Sequence, residues 1–136
     1  MSQNNTAAEE RQNCVKRWQL YDVFAEGNGM QVVDVTDNEA VTMMIVEERH
    51  LNGVGVCQGG ALFTLADLAM AAVTNQRGKS VSTDANIRFL SAANKGERLE
   101  CRMRLVKDGR LPVVEGEIKS GDRLVAVVGG RDFRLE

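Results

Sequence analysis

Residues 61–76 are almost uninterrupted apolar sequence, carrying Leu62, Phe63, Leu65, Ala66, Leu68, Ala69, Met70, Ala71, Ala72 and Val73. The spacing predicts a helix that is hydrophobic on nearly every face, and such a helix is expected to be buried on every face. At this length it is too short to span a bilayer comfortably. The simplest way to cover it is to wrap a curved sheet around it, so the rest of the chain must supply strands.

The flanking sequence supplies them. Residues 31–36 and 40–47 are rich in valine and threonine and read as two strands joined around Asp37–Asn38. Four more strand-like runs follow the helix, at residues 80–90, 98–107, 112–120 and 124–133, separated by turn signals at 94–96, 108–109 and 121–122. Ahead of them, residues 1–6 read as a polar tail. From residue 7 to 26 a helical pattern carries Val15, Trp18, Tyr21 or Asp22, and Ala25 until Gly27–Asn28–Gly29 breaks it. Two strands, an apolar helix and four consecutive strands describe an α+β domain with an antiparallel sheet, one domain over residues 7–136.

Composition narrows the class of partner. The 17 basic and 19 acidic residues leave a net charge of −2 with no basic block. A nucleic-acid footprint is therefore missing, and so is a polybasic membrane contact. Three scattered cysteines, Cys14, Cys57 and Cys101, with no CxxC, fit neither a disulfide framework nor a zinc site. The opening is polar and lacks the apolar run of a signal peptide. These features lead us to expect a soluble, reduced, cytoplasmic protein without a metal.

One residue is out of place in the apolar helix. Asp67 lies among Leu65, Ala66, Leu68 and Ala69. Burying its charge without partners costs several kcal/mol, or raises its pKa until the group is neutral. Asp67 is thus either held in a structural hydrogen-bond network, or at the one exposed seam, or used chemically. Gly59 and Gly60 sit where the helix would start. Backbone N–H groups there have no intrahelical acceptor and lie at the positive end of the helix dipole, a ready site for an anion or a developing oxyanion. Glycines at a helix start also serve simply for close backbone packing. Seven residues at about 100° each bring Asp67 beneath Gly60, on a face shared with Thr64 and Ala71. A base and an oxyanion site two turns apart are expected to flank one reacting carbonyl.

The run His50-Leu-Asn52-Gly-Val-Gly55-Val-Cys-Gln58-Gly59-Gly60-Ala-Leu-Phe-Thr-Leu65-Ala-Asp67 resembles the signature of hotdog-fold thioesterases of the phenylacetic-acid-degradation type, approximately H-x-N-x-x-G-x-x-H-G-G-x-x-x-x-L-x-D. The later run Ser82-Thr-Asp-Ala-Asn-Ile-Arg-Phe89-Leu90 is similar to that family's second strand block. The resemblance implies a hotdog fold, an antiparallel sheet of five to six strands around the central helix, assembled as a homodimer or homotetramer. It implies hydrolysis of acyl-coenzyme A thioesters, aryl or medium-chain, with no cofactor beyond the coenzyme A of the substrate. By carry-over, the Gly59 N–H polarises the thioester carbonyl and Asp67 is general base or nucleophile. Asn52 and Ser82 place the water or substrate, Gly60, Gln58 and His50 contact substrate, and the site forms at the dimer interface.

The chain departs from the pattern at Gln58, where the family has histidine. Glutamine still donates a hydrogen bond but does not titrate near neutral pH. His50 is the only histidine, so chemistry relying on a histidine pair is excluded, and loop anchoring is its alternative role. A Cys57–His50 thiol mechanism is the weaker option, because a buried free cysteine usually serves as a small hydrophobe. The competing functions are an acyl-CoA binding module without turnover, which Gln58 favours and Asp67 disfavours, and an acyl-CoA hydratase or dehydratase, for which His50 is badly placed.

Overall fold

The computed structural model describes residues 22–135, together with Thr6 and Glu9. Thr6 and Glu9 make the reciprocal bonds of a capping box, each backbone N–H donating to the other's side chain at 3.1 Å. Cys14, Val15, Trp18 and Tyr21 lie outside the described residues, as does the tail up to residue 5. The described elements run α1 (Val23–Gly27), β1 (Gln31–Val35), β2 (Glu39–Ile45), α2 (Gly59–Thr74), β3 (Ser80–Phe89), β4 (Arg98–Lys107), β5 (Val113–Ser120) and β6 (Arg123–Arg134). Short 3-10 turns occupy Glu48–His50 and Asn75–Arg77.

The six strands form one sheet in the order β1-β2-β4-β5-β6-β3, antiparallel at every step. Each expected strand is present to within two residues at either end. The β5–β6 hairpin closes between Ser120 and Arg123. Gly121 takes φ +60° there while Asp122 stays at negative φ. That combination marks a type II′ turn, whose twist matches the flanking strands.

Helix α2 fills the concave face of this sheet. Leu65, Leu68, Met70 and Val73 pack into a core with Met44, Leu99, Met103, Val114 and Ile118, all 2 % exposed or less. Thr42 Oγ1 on β2 donates to the Leu65 carbonyl at 2.9 Å, pinning the middle of the helix to the sheet. Gly130 on β6 lies directly against the Met70 side chain, where a Cβ would collide. The helix begins two residues earlier than periodicity predicts, because Gly59 and Gly60 form its first turn.

Burial on every face does not hold for the single chain. Gly60 is exposed, and Phe63, Thr64, Asp67 and Ala71 are only half-buried. Steps of three and four place these residues on one stripe. The stripe is open because six strands wrap the helix on one side only. Strand β3, at the sheet's edge, is also open: Val81, Ser82, Thr83, Asp84, Asn86, Arg88 and Phe89 are exposed.

Candidate active site

The segment before α2 is locked by its own polar groups. His50 is 3 % exposed. Its Nδ1 accepts the Glu47 N–H at 2.9 Å, which assigns the proton to Nε2, 2.8 Å from the Asn28 carbonyl. Both ring nitrogens are therefore committed to anchoring the chain. Asn52 Oδ1 accepts from the N–H groups of Val54, Gly55 and Val56 at 3.0–3.2 Å, folding the loop back on itself. Cys57 N–H then bonds the Ala93 carbonyl and Gln58 N–H the His50 carbonyl, both at 2.8 Å. Gln58 is the extended residue before the helix, and its side chain makes no capping bond.

This anchoring delivers Gly59 and Gly60 with free backbone donors. Among the described residues neither N–H meets an acceptor, whereas the carbonyl of Gln58 already receives Ala61 and Leu62. Two clefts flank this helix end. One, of about 460 Å³, is bordered by Asn52, Val56, Cys57, Gly59, Leu62 and Phe89. The other, of about 380 Å³, is bordered by Phe24, Asn28, Arg49, His50, Gln58, Gly60 and Thr64. Five motif residues, His50, Asn52, Gln58, Gly59 and Gly60, thus border the clefts on either side of two unpaired N–H groups. Burial pushes the Cys57 thiol up to about 11, so the thiol beside Gly59 stays protonated at neutral pH.

Asp67 lies elsewhere. Among the described residues none donates a hydrogen bond to it. Its carboxyl is raised above the usual carboxylate range, first by burial and then by the negative charges of Asp22 and Asp132. A carboxylate so raised is a stronger base than a solvated one. Ser82 sits on the exposed strand β3, opposite Asp132 on β6, so the two side chains project from the same face of the sheet.

The single chain does not place Asp67 and Gly59 on one carbonyl. Eight residues of helix separate them, about 12 Å at 1.5 Å per residue. Neither cleft is bordered by Asp67 or Ser82. Gly60, Thr64, Asp67 and Ala71 do share a face, but that face looks outward.

One further residue matters that sequence reasoning passed over, and one that it offered as a pocket wall, Phe89, takes a definite place. Asp132 is 2 % exposed on the inward face of β6. The alternation Ala126, Val128, Gly130, Asp132 carries that signal. Phe89 places the tip of its ring against Gly59, with Cζ 2.9 Å from the point where a Cβ would stand. That contact joins residues thirty apart and has no local signature.

Known proteins resemble this architecture. A family model described as the thioesterase superfamily matches residues 54–127, the stretch from the glycine-rich loop to β6. Acyl-coenzyme A thioesterase PaaI of Escherichia coli is 31% identical over 129 residues, covering 88% of this chain and 92% of the relative. The solved structure of E. coli PaaI, from the phenylacetic acid degradation operon, superposes with a TM-score of 0.89 at 27% identity, covering 96% of this chain and 97% of that one. The smu.793 protein from Streptococcus mutans UA159, solved bound to acetyl CoA, superposes at 0.74 with 26% identity over 77% of this chain and 87% of that one. With a match over more than half its length, a near full-length relative above 30% identity and a single sheet curled around one long helix, the chain belongs to the thioesterase superfamily and has the hotdog fold.

Proposed function

We propose that the protein hydrolyses acyl-coenzyme A thioesters, of aryl or medium-chain acids, to the free acid and coenzyme A. The observation that carries this reading is the pair of unpaired N–H groups of Gly59 and Gly60 beside a cleft, on the same helix as a carboxylate raised by burial. The thioester oxygen accepts from the Gly59 N–H, where the helix dipole favours the negative charge that develops on it. Asp67 takes a proton from water as the water oxygen bonds to the thioester carbon, or attacks that carbon itself to give an anhydride that water then hydrolyses; in either route the C–S bond breaks and coenzyme A leaves as thiolate. Asn52 has its oxygen occupied by the loop, so its amide N–H₂ is the group left to hold water or substrate. Ser82 attends the carboxylate, and Gly60, Gln58 and the His50-anchored loop border the substrate's path. As written, the reaction needs no cofactor or metal beyond the coenzyme A of the substrate.

A second copy of the chain completes the site in this reading. The open stripe around Asp67 and the ten-residue open edge of β3 are both exposed in one chain. An uncovered edge of that length is a template for pairing. In a homodimer, or a tetramer built from dimers, Asp67 and Ser82 of one copy are brought to the Gly59 and Asn52 of the other. The domain spanning residues 7–136 acts as one unit. No described helix is long and apolar enough to cross a membrane, and the buried, unpaired Cys57 and Cys101 suit a reducing cytoplasm.

The test is thiol release from a panel of acyl- and aryl-CoA thioesters, wild type beside Asp67→Asn. Turnover that falls about 10²- to 10⁴-fold in the variant is the expected result. Binding of the panel without turnover by the wild type would instead make the protein an acyl-CoA binding module, with Gln58 the first residue to exchange for histidine.

A further inference from the structure

The two clefts beside the helix end differ in chemistry, and the difference assigns the two arms of the substrate. The cleft on the Gly59 side is walled mainly by Val56, Cys57, Leu62, Phe89 and Leu90, with Asn52 and Ser91 as its polar groups. The cleft on the Gly60 side sets Asn28, Arg49, Gln58 and Thr64 beside Phe24, Met30, Leu51 and Ala61 and, among the described residues, carries the only guanidinium of the two. A thioester whose oxygen rests on the Gly59 N–H sends its acyl group into the more apolar cleft and its polar pantetheine arm toward the other. The acyl α-carbon, one bond from the bound carbonyl, then lies next to Gly59. Phe89 crowds this point: its Cζ, Cε1 and Cε2 stand 2.9, 3.3 and 3.5 Å from where a Cβ on Gly59 would be. A methyl group added at Gly59 is admitted only if the exposed Phe89 ring swings aside, and the ring where it stands narrows the space for a methyl branch on the neighbouring substrate atom in the same way.

We infer that Phe89 is a specificity-determining residue that sets the width of the cleft at the acyl α-carbon, so that unbranched acyl groups are accepted and α-branched ones rejected. The inference rests on the thioesterase reading above and adds to it a shape rule for the acyl group. Phe89 is suited to the role by its place in the fold. Its backbone is held at the end of β3 by pairing with Ala126, and Leu90 N–H bonds the Val125 carbonyl at 2.8 Å. The ring itself is 54 % exposed, so it borders the cleft without being built into the core. Changing it therefore alters the cleft more than the fold.

The isomers butyryl-CoA and isobutyryl-CoA test this, because they differ in branching and not in composition. Wild type is expected to favour butyryl-CoA in kcat/KM by about tenfold or more, the scale on which a pocket resolves one misplaced methyl group. Phe89→Ala is expected to bring the ratio close to one, and Phe89→Leu to fall between. A wild-type ratio near one, or a ratio unchanged in Phe89→Ala, overturns the inference while leaving the thioesterase reading intact. If wild type turns over neither isomer nor any other thioester, the thioesterase reading fails. The ratio of dissociation constants for the two isomers then decides the inference by the same criterion.

Discussion

Ser80 Oγ donates to Asp132 Oδ2 at 3.1 Å, and among the described residues the other Asp132 oxygen is buried without a donor. The pair closes the inner face of β3 and β6 beside the helix stripe that carries Asp67. Asp132 adds to the burial and to the Asp22 charge that together raise the Asp67 carboxyl. Like charges at short range keep each other protonated to higher pH.

Asp132→Asn is therefore expected to shift the pH dependence of turnover. The amide keeps an oxygen for the Ser80 hydroxyl and removes the negative charge. With one of its three causes gone, the Asp67 pKa moves down, and Asp67 is ionised over a wider range. The acid limb of the kcat/KM profile moves to lower pH, and the Asp22 charge and burial keep it above that of a solvated aspartate. An acid limb at the wild-type pH, with only the melting temperature altered, would reduce Asp132 to a structural role.

Both ring nitrogens of His50 are engaged by backbone groups, which gives the residue an anchoring role in the loop before the helix. Removing its ring leaves the Glu47 N–H and the Asn28 carbonyl, both in part-buried bonds, without their partner. Each unmet group costs about 1–3 kcal/mol. We expect His50→Ala to lose about 2–4 kcal/mol in urea titration and to loosen the loop that presents Gly59. Turnover per folded molecule then drops, through KM more than through kcat. A loss confined to kcat, with stability unchanged, would return His50 to the chemistry.

The sequence was informative wherever the physics is local. Period-two patterning and turn residues located every strand, and the all-apolar stretch located the helix. Asp67 stood out because a charge in such a helix demands an explanation, and Gly59–Gly60 because a helix start bares its N–H groups. Two things depended on contacts between distant segments. The Phe89–Gly59 contact follows from where the edge strand ends. The open stripe through Asp67 follows from how far six strands can wrap one helix, and no property of the helix sequence alone encodes that.

The far end of the helix is clamped by an acid that behaves differently from Asp67. Asp108 receives Arg134 Nη1 on one oxygen and Arg77 Nη1 on the other, both at 2.6 Å, and Arg134 Nη2 donates to the Thr74 carbonyl at 3.0 Å. The Gly109 N–H and these two guanidinium groups lower the Asp108 carboxyl to about 2. A depressed folded-state value contributes stability that is present above the unfolded value, near 3.9, and is lost as pH falls toward 2. Asp108→Asn is expected to cost about 1 kcal/mol at neutral pH, since the group is partly solvated. The gap between variant and wild type should close by about pH 2. Thermal melts at both pH values check the sign, and an equal gap at both would assign the loss to packing.

Asp67 carries the opposite sign. Its folded-state pKa is raised, so the native state holds the proton more tightly than the unfolded chain does. Ionising the group then costs stability as pH rises through the window between the unfolded value, near 3.9, and the raised one. Above that window the full cost is present. Asp67→Asn removes it, so the variant is expected to melt higher than wild type at neutral pH, with the advantage shrinking to nothing near pH 4. In the proposed mechanism the same substitution removes the base and is expected to abolish most turnover, a trade of stability against function at a single side chain. A variant that instead melts lower at neutral pH would mean that the carboxylate is held by stabilising partners. Asp67 would then belong to the framework of the helix and not to its chemistry.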